Sequence, residues 1–405
     1  MNTVAILGFG VVGSGTAEVL EKNRADIAAR GGVEAELKYI LDVRDFPDSP
    51  YGKKHVKEFS VIENDPDVAV VAETIGGVGV AYEFTKRALK KGKHVVTSNK
   101  ELVATHGYEL LRLAAENGVN YLFEASVGGG IPVLRPLRLC LTGNRIDEIC
   151  GILNGTTNYI FTRMIRGGLT LEAALKEAQE LGYAEQNPTA DVDGHDACRK
   201  ICILSSLAWG RHVYPDSVPT EGIRGVTLAD VTFAKRAGYV IKLLGRAVRT
   251  DDGKTAAYVA PHLVPTDNLL SGVDDVFNGV AIRGNAVGDT LFYGRGAGKL
   301  PTASAVVGDI IDALRLGGAP KYPAWDDGDP KTVSDPRLLK SVYFVRFSGS
   351  FEEAKRAFGD IVPIQSEGPD DGETAFFTPE LTGEALDARA SSIPGGILSK
   401  IRVLS

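Results

Sequence analysis

The chain has 405 residues, 44% hydrophobic and 24% charged, a balance that excludes global disorder and, at roughly 150 residues per domain, predicts two or three domains. The formal charge of −7 argues against a nucleic-acid partner, which needs a net basic face, and no apolar run approaches the ~18 residues of a membrane span. Glycine supplies 47 residues without any period, so collagen is excluded and Gly-rich loops are expected. The first segment then alternates strands and helices. Residues 3–8 (TVAILG) are a short apolar run ending in glycine, the pattern of a buried parallel strand. Residues 14–30 carry a helical repeat closed by Gly31 and Gly32. Further strands are predicted over 36–42, 67–72, 93–97 and 119–124, and helices over 80–91 and 101–117. This alternation predicts an α/β fold, a doubly wound parallel sheet over residues 1–130.

The pattern changes at the Gly-rich stretch 124–132. Longer helices follow (134–141, 156–166, 170–181, 195–209 and 228–245), with isolated strands at 146–153, 254–264, 277–283 and 289–293. Residues 131–301 are expected to form a second, α+β domain. A helix over 302–316 is expected to return to the first domain. Residues 317–340, rich in Gly, Pro and Asp, read as a linker. The tail, 341–405, runs strand, helix, strand (361–367), strand (373–381), weak helix (383–394), strand. That βαββαβ order predicts a separate ferredoxin-like module of the kind that binds small ligands or dimerises. Cys140, Cys150, Cys198 and Cys202 fit neither a disulfide framework nor a zinc spacing, so a reducing cytoplasm is expected. Thr3 opens a strand-like run with no basic stretch before it, so no secretory signal is expected.

Residues 8–13 read G-F-G-V-V-G between a predicted strand and a predicted helix, the context that makes this weak motif informative. Gly8 permits the tight turn, Gly10 lets the backbone approach a pyrophosphate, and Gly13 lets helix and strand pack closely, as in a Rossmann-type domain. The amides of Val11 and Val12 then face the anion from the helix N-terminus. The second strand ends at Asp42, the usual place for a carboxylate on the adenine ribose of NAD. Arg44 follows closely and suits the 2′-phosphate of NADP; the pair either binds the cofactor, leaning to NADP and leaving NAD usable, or is a surface Asp and Arg with no cofactor role. T-S-N-K at 97–100 puts Lys100 beyond the carboxyl end of a strand, where ligands of open α/β sheets sit. It either reaches cofactor or substrate or caps an exposed loop.

The densest cluster is LGYAEQNPTADVDGHDACRK at 181–200. Its turn-rich middle holds Glu185, Asp191 and Asp193. A helix then begins near Gly194, with Asp196 and Lys200 one turn apart on one face. Such acids suit the ammonium of an amino acid, and Lys200 suits proton transfer to a reacting oxygen once desolvation lowers its pKa. A solvated Asp–Lys pair beside an acidic loop is the alternative. G-I-L-N-G-T-T-N-Y-I at 151–160 reads as a substrate-facing turn or as an N-capped helix. E-A-S-V-G-G-G-I-P at 124–132 reads as an oxygen-lined cation site or as a glycine hinge. The six histidines show no metal-ligand spacing, so no transition-metal site is expected, and His195 is read as structural.

Together with G-R-G-A-G…P-T-A-S at 294–304, these blocks resemble homoserine dehydrogenase over roughly residues 1–316. The resemblance implies NAD(P)-dependent interconversion of aspartate 4-semialdehyde and homoserine, on the route to threonine and methionine. It implies Lys200 as the proton donor, Lys100 beside nicotinamide and substrate, and Asp191 as a further active-site carboxylate. Glu185 and Asp196 fall on homoserine-binding positions, and Thr74, Gly182 and Gly298 on cofactor contacts. Glu124, Val127, Gly129 and Ile131 fall on a site for a sodium or potassium ion, held mostly by backbone carbonyls. The middle domain would also make a homodimer. Many members carry a C-terminal ACT domain, an amino-acid sensor. Residues 341–405 have its element order but read F-S-G-S-F where D-x-P-G is usual, which leaves threonine a candidate effector. Two rivals stand beside this reading: another reductase on the same scaffold, and a non-catalytic sensor of dinucleotide and amino acid. Two lysines with a full acidic cluster favour the enzyme.

Overall fold

The computed structural model describes residues 2–321, 325–364, 373–393 and 396–405. The chain forms two compact units, each discontinuous in sequence. The first comprises Met1–Arg145, Cys202–Pro215 and Gly294–Asp329; the second comprises Ile146–Ile201, Asp216–Tyr293 and Pro330–Ser405.

The first unit is built on six strands: β1 (Asn2–Leu7), β2 (Ala35–Leu41), β3 (His55–Val56), β4 (Val68–Glu73), β5 (His94–Thr97) and β6 (Tyr121–Leu122). Their order is β3-β2-β1-β4-β5-β6, and all five pairings are parallel. Val4 to Leu7 are wholly buried, as a strand covered on both faces must be. The winding reverses between β1 and β4, so a crevice opens beyond their carboxyl ends. Helix Lys299–Leu316, expected over 302–316, belongs to this unit, and Gly15 of helix Val11–Lys22 lies directly against Lys299 and Ala303. The strand expected over 119–124 is cut to two residues because the chain turns into a 3₁₀ segment at Glu124–Ser126.

The second unit carries a nine-stranded sheet in the order β11-β10-β7-β8-β9-β15-β12-β14-β13. Its first five strands in sequence are β7 (Ile146–Ile152), β8 (Tyr239–Arg249), β9 (Thr255–Pro265), β10 (Phe277–Gly284) and β11 (Gly288–Arg295). The helix expected over 228–245 is in fact two elements. Helix Leu228–Arg236 stops, Gly238 takes φ 82°, and β8 begins at Tyr239. Pairing of all eleven β8 residues with β9 decides the conformation of YVIKLLGRAVR, whose apolar spacing alone fits a helix.

The tail supplies β12 (Tyr343–Ser348), β13 (Val362–Ile364), β14 (Glu373–Phe377) and β15 (Ile397–Val403), with helices Phe351–Phe358 and Gly383–Ala390. Residues 365–367 of the strand expected over 361–367, and residue 394 of the helix expected over 383–394, lie outside the described residues. The tail's order, β15-β12-β14-β13, is the ferredoxin-like arrangement. Its own core gathers Val345, Phe347, Phe358 and Phe376. It is nevertheless not the separate module expected. β15 pairs in parallel with β9, Arg402 against His262 and Val403 against Leu263. Leu404 packs with Cys150, Ile152, Leu244 and Val264. Arg346 of β12 is buried against Asp230 (2.9 Å) and the Thr227 hydroxyl (3.0 Å), which together form the capping box of helix Leu228–Arg236.

The span 317–340 is likewise no free linker. Residues 322–324 lie outside the described residues, but on either side the chain is packed. The Lys321 amide donates to Asn120 Oδ1 (2.8 Å), and Trp325 is buried against Gly107 and His212. Its Gly, Pro and Asp mark turns rather than a lack of contacts.

Candidate active site

The dinucleotide loop closes as its glycines predict. Gly8 takes φ 88°, and a Cβ on Gly13 would collide with the Gly8 carbonyl. Helix Val11–Lys22 starts at Gly10, which brings no capping side chain, and the space above Gly10 is open. The amides of its first turn can therefore take an anion. Val11 is exposed and Val12 half-buried at this lip. Thr74 locks the crevice from beneath, its hydroxyl donating to the carbonyls of Leu7 (2.9 Å) and Gly8 (2.8 Å). These features fit a dinucleotide.

Asp42 ties the loop to Arg44. Its Oδ2 accepts from the Phe9 amide (2.7 Å) and Arg44 Nη2 (3.0 Å), and its Oδ1 accepts from Arg44 N (2.9 Å) and Nε (3.0 Å). Arg44 holds the Asp42 carboxyl far below the usual carboxylate range. The carboxylate therefore aims a largely exposed guanidinium, an arrangement suited to an added phosphate.

Lys100 is the first residue of helix Lys100–Glu116 in the first unit, capped by Asn99. Gly298 starts helix Lys299–Leu316 in the same unit, with φ 123°. Gly182 lies in the second unit, exposed after helix Leu171–Glu180, with φ 74°.

Within the second unit the cluster at 151–200 is drawn together. Helix His195–Trp209 places Asp196 and Lys200 on one face, both buried. Lys200 Nζ donates to Asp196 Oδ2 (2.7 Å) and to the Leu153 carbonyl (2.6 Å) at the end of β7. Asn154 joins both carboxylates, its Nδ2 donating to Asp191 Oδ1 (2.7 Å) and Asp196 Oδ2 (2.9 Å). Its Oδ1 accepts from the Thr157 amide (2.8 Å), capping helix Gly155–Gly167. The turn at 151–160 is thus both readings at once, an N-cap and a lining of the acidic site. The solvated Asp–Lys pair does not hold for Asp196 and Lys200, because the fold buries them. Glu185 stays exposed outside this network, with its carbonyl accepting from Gln179 Nε2 (3.1 Å). Exposed His195 opens the helix.

Asn154 was not singled out from sequence, although an Asn before Gly-Thr-Thr at a strand–helix junction is a cap signal. Its second role depends on carboxylates some forty residues away and has no local signature.

The stretch 124–132 is irregular and lies in the first unit, buried except at Gly130 and Pro132. Gly128 and Gly129 take φ 72° and 54°, and a Cβ on Gly129 would strike the Gly296 carbonyl. The Glu124 carboxylate accepts from the amides of Val133 (2.8 Å), Leu134 (3.0 Å) and Arg135 (2.7 Å). Burial and the neighbouring Asp309 push its pKa up to about 7. As a cation ligand that carboxylate does not fit, because it is engaged with three amides. The backbone carbonyls at Glu124, Val127, Gly129 and Ile131 are hard oxygen donors and do fit. Among the described residues, no group of three His, Cys, Asp or Glu side chains converges as a metal site.

A dinucleotide crevice in one unit and a buried lysine–carboxylate pair in the other are what a nicotinamide-dependent oxidoreductase requires. Two family models match, homoserine dehydrogenase NAD binding domain over residues 8–124 and homoserine dehydrogenase over residues 132–311. The homoserine dehydrogenase of Pseudomonas aeruginosa is 47% identical over 314 residues, 77% of this chain and 72% of that protein. The crystal structure of a homoserine dehydrogenase from Thiobacillus denitrificans matches with a TM-score of 0.90 at 34% identity, covering 100% of this chain and 98% of that one. A hyperthermophilic archaeal homoserine dehydrogenase mutant in complex with NADPH matches at 30% identity with a TM-score of 0.66, over 80% of this chain and 99% of that one. The chain belongs to the homoserine dehydrogenase family and is an NAD(P)-dependent oxidoreductase. Among the described residues, no helix is long and apolar enough to cross a membrane.

Proposed function

We propose that this chain interconverts L-aspartate 4-semialdehyde and L-homoserine, in the route to threonine and methionine, with NADP preferred over NAD. The observation that carries the reading is the buried Lys200–Asp196 pair held by Asn154 beside Asp191. The nicotinamide supplies the hydride. Lys200 protonates the oxygen of the reduced carbonyl and takes that proton back in the oxidative direction. Asp196 holds Lys200 in place. Glu185 and Asp196 bind the substrate's ammonium group, and Asp191 is a further active-site carboxylate. Lys100 stands beside the nicotinamide and substrate, and Gly182 and Gly298 contact the cofactor. Arg44, aimed by Asp42, takes the 2′-phosphate. The carbonyls at Glu124, Val127, Gly129 and Ile131 would hold a sodium or potassium ion. The protein works in the cytoplasm as a homodimer or higher homo-oligomer, and the tail is an ACT-like module with threonine as its candidate effector.

NADPH oxidation on addition of aspartate 4-semialdehyde tests this reading. Turnover dependent on both is expected. Preference for another carbonyl or imine in a substrate panel would replace the substrate, and tight NADPH binding without any turnover would favour a sensor.

A further inference from the structure

A buried polar cluster at the ends of β4 and β5 is used by none of the roles above. Glu73, the last residue of β4, has no exposed surface. Its Oε1 accepts from the amides of Ile75 (2.7 Å) and Gly76 (3.3 Å), and its Oε2 from the Thr97 hydroxyl (2.6 Å). Thr97, the last residue of β5, accepts in turn from the Asn99 amide (2.9 Å). Asn99 donates its side-chain amide to the Gly77 carbonyl (2.6 Å) and accepts from the Leu102 amide (3.1 Å), capping the helix that Lys100 opens.

Burying a carboxylate carries a desolvation penalty that an apolar residue at the end of a core strand would avoid. The carboxylate here acts as a joint. Gly76 and Gly77 take φ 85° and 67°, and the amides of Ile75 and Gly76 converge on one oxygen, a concavity that favours an anion. That turn walls the crevice at the switch point, where a Cβ on Gly8 would meet Ile75 N and Cα at 3.0 Å. The other oxygen holds β5 and, through Thr97 and Asn99, the first turn of the Lys100 helix. One side chain therefore links the backbone against the dinucleotide loop to the backbone that presents Lys100.

We propose that Glu73 is a positioning residue for hydride transfer: its carboxylate sets the turn beside the dinucleotide loop and the first turn of the Lys100 helix in register, so that the nicotinamide is held in place against Lys100. The proposal rests on the oxidoreductase reading of the site.

Three variants of the full chain test it: Glu73→Ala, Glu73→Gln and Thr97→Val. NADPH affinity is read by fluorescence titration, and hydride transfer by the single-turnover rate per bound NADPH. A merely structural role lowers the number of competent sites but not that rate. Glu73→Ala is expected to weaken NADPH several-fold and to slow hydride transfer by about 10²-fold, the usual scale for a misplaced reactant. Glu73→Gln should recover part of both, because it keeps an acceptor for Ile75 and Gly76. Thr97→Val, which removes only the hydroxyl link, should slow transfer in the same direction, and it carries the test if Glu73→Ala fails to fold. Unsubstituted values for both readouts in the folded variants would overturn the proposal. Inactivity of the unsubstituted enzyme towards the semialdehyde would overturn the substrate assignment alone, because the affinity arm requires no turnover.

Discussion

Lys200 carries its charge where water scarcely reaches, and its partners decide what a substitution there does. Removing it takes an ion-pair partner from buried Asp196, and breaking a buried pair typically costs about 3–5 kcal/mol. Lys200→Ala is therefore expected to lower the melting temperature as well as kcat, with kcat falling ~10²–10⁴-fold. NADPH affinity should stay close to that of the unsubstituted enzyme. An undiminished kcat would remove Lys200 from the mechanism. Asn154→Ser separates the two functions of that residue. Serine still caps helix Gly155–Gly167 but cannot span two carboxylates, so KM for the amino-acid substrate should rise, with the melting temperature falling less than in Lys200→Ala because Asp196 keeps its lysine. Arg44→Ala should weaken NADPH more than NADH in parallel titrations, and equal effects would show that the 2′-phosphate lies elsewhere. The residues legible in the sequence are those whose role depends on their neighbours in the chain. Gly8, Gly10 and Gly13 act through one turn, and Asp196 and Lys200 through one helix. Glu73 ends the apolar run DVAVVAE and reads as a strand terminus. Its partner Thr97 lies 24 residues on and is brought beside it only by parallel pairing of β4 with β5.

Among the elements, β8 and β9 pair at the centre of the second unit's sheet, and β9 buries a histidine that sets a pH limit. His262 is wholly buried. Its Nδ1 lies 2.9 Å from the Ala260 carbonyl, which can only accept, so Nδ1 bears the proton and Nε2 accepts from the Tyr258 hydroxyl at 3.2 Å. Burial pushes its pKa from 6.5 down to about 3. The folded protein keeps this ring neutral where the unfolded chain is already protonated. Its contribution is fully present above the unfolded value and is lost as pH falls towards the folded one, by about 1.4 kcal/mol per pH unit at the steepest. Urea midpoints should therefore fall between pH 6.5 and pH 4. His262→Gln should be less stable at neutral pH and show a shallower acid slope, whereas an unchanged slope would exonerate the histidine. The sequence pattern around β8 misled for a related reason. Leu243, Leu244 and Ala247 are spaced as on a helix, and only the partner strand, fifteen or so residues on, makes them alternate across a sheet.

For the molecule as a whole, the tail's βαββαβ order is legible because each element has its own period, but its attachment is not. A two-residue parallel pairing between β9 and β15 leaves no local trace in sequence. Composition at 317–340 suggested a tether, yet Trp325 and Lys321 are buried there. Deleting residues 341–405 would strip β15 from the edge of β9, remove Leu404 from a shared core and leave Asp230 buried without Arg346. The truncated chain should melt earlier and lose activity, rather than retain the full activity expected of a body carrying a detachable module. Circular dichroism melts with parallel assays check this, and a truncation as stable as the full chain would show that the shared edge contributes little. If the tail senses threonine, a coupling of ~1–3 kcal/mol makes inhibition of the full chain a several-fold effect. Point substitutions in the tail are then better probes than deletion.

The discontinuity of both units also bears on the order in which the protein can fold as it is made. The first unit lacks the helix at Lys299–Leu316 until well past the middle of translation, and β9 emerges from the ribosome long before the strand that covers its edge. Domain-by-domain folding during synthesis is therefore closed to this chain. Its nascent form must hold apolar strands and an open sheet edge in solution, where they invite pairing with other chains. Refolding from denaturant should accordingly be slow, with a yield that falls as protein concentration rises.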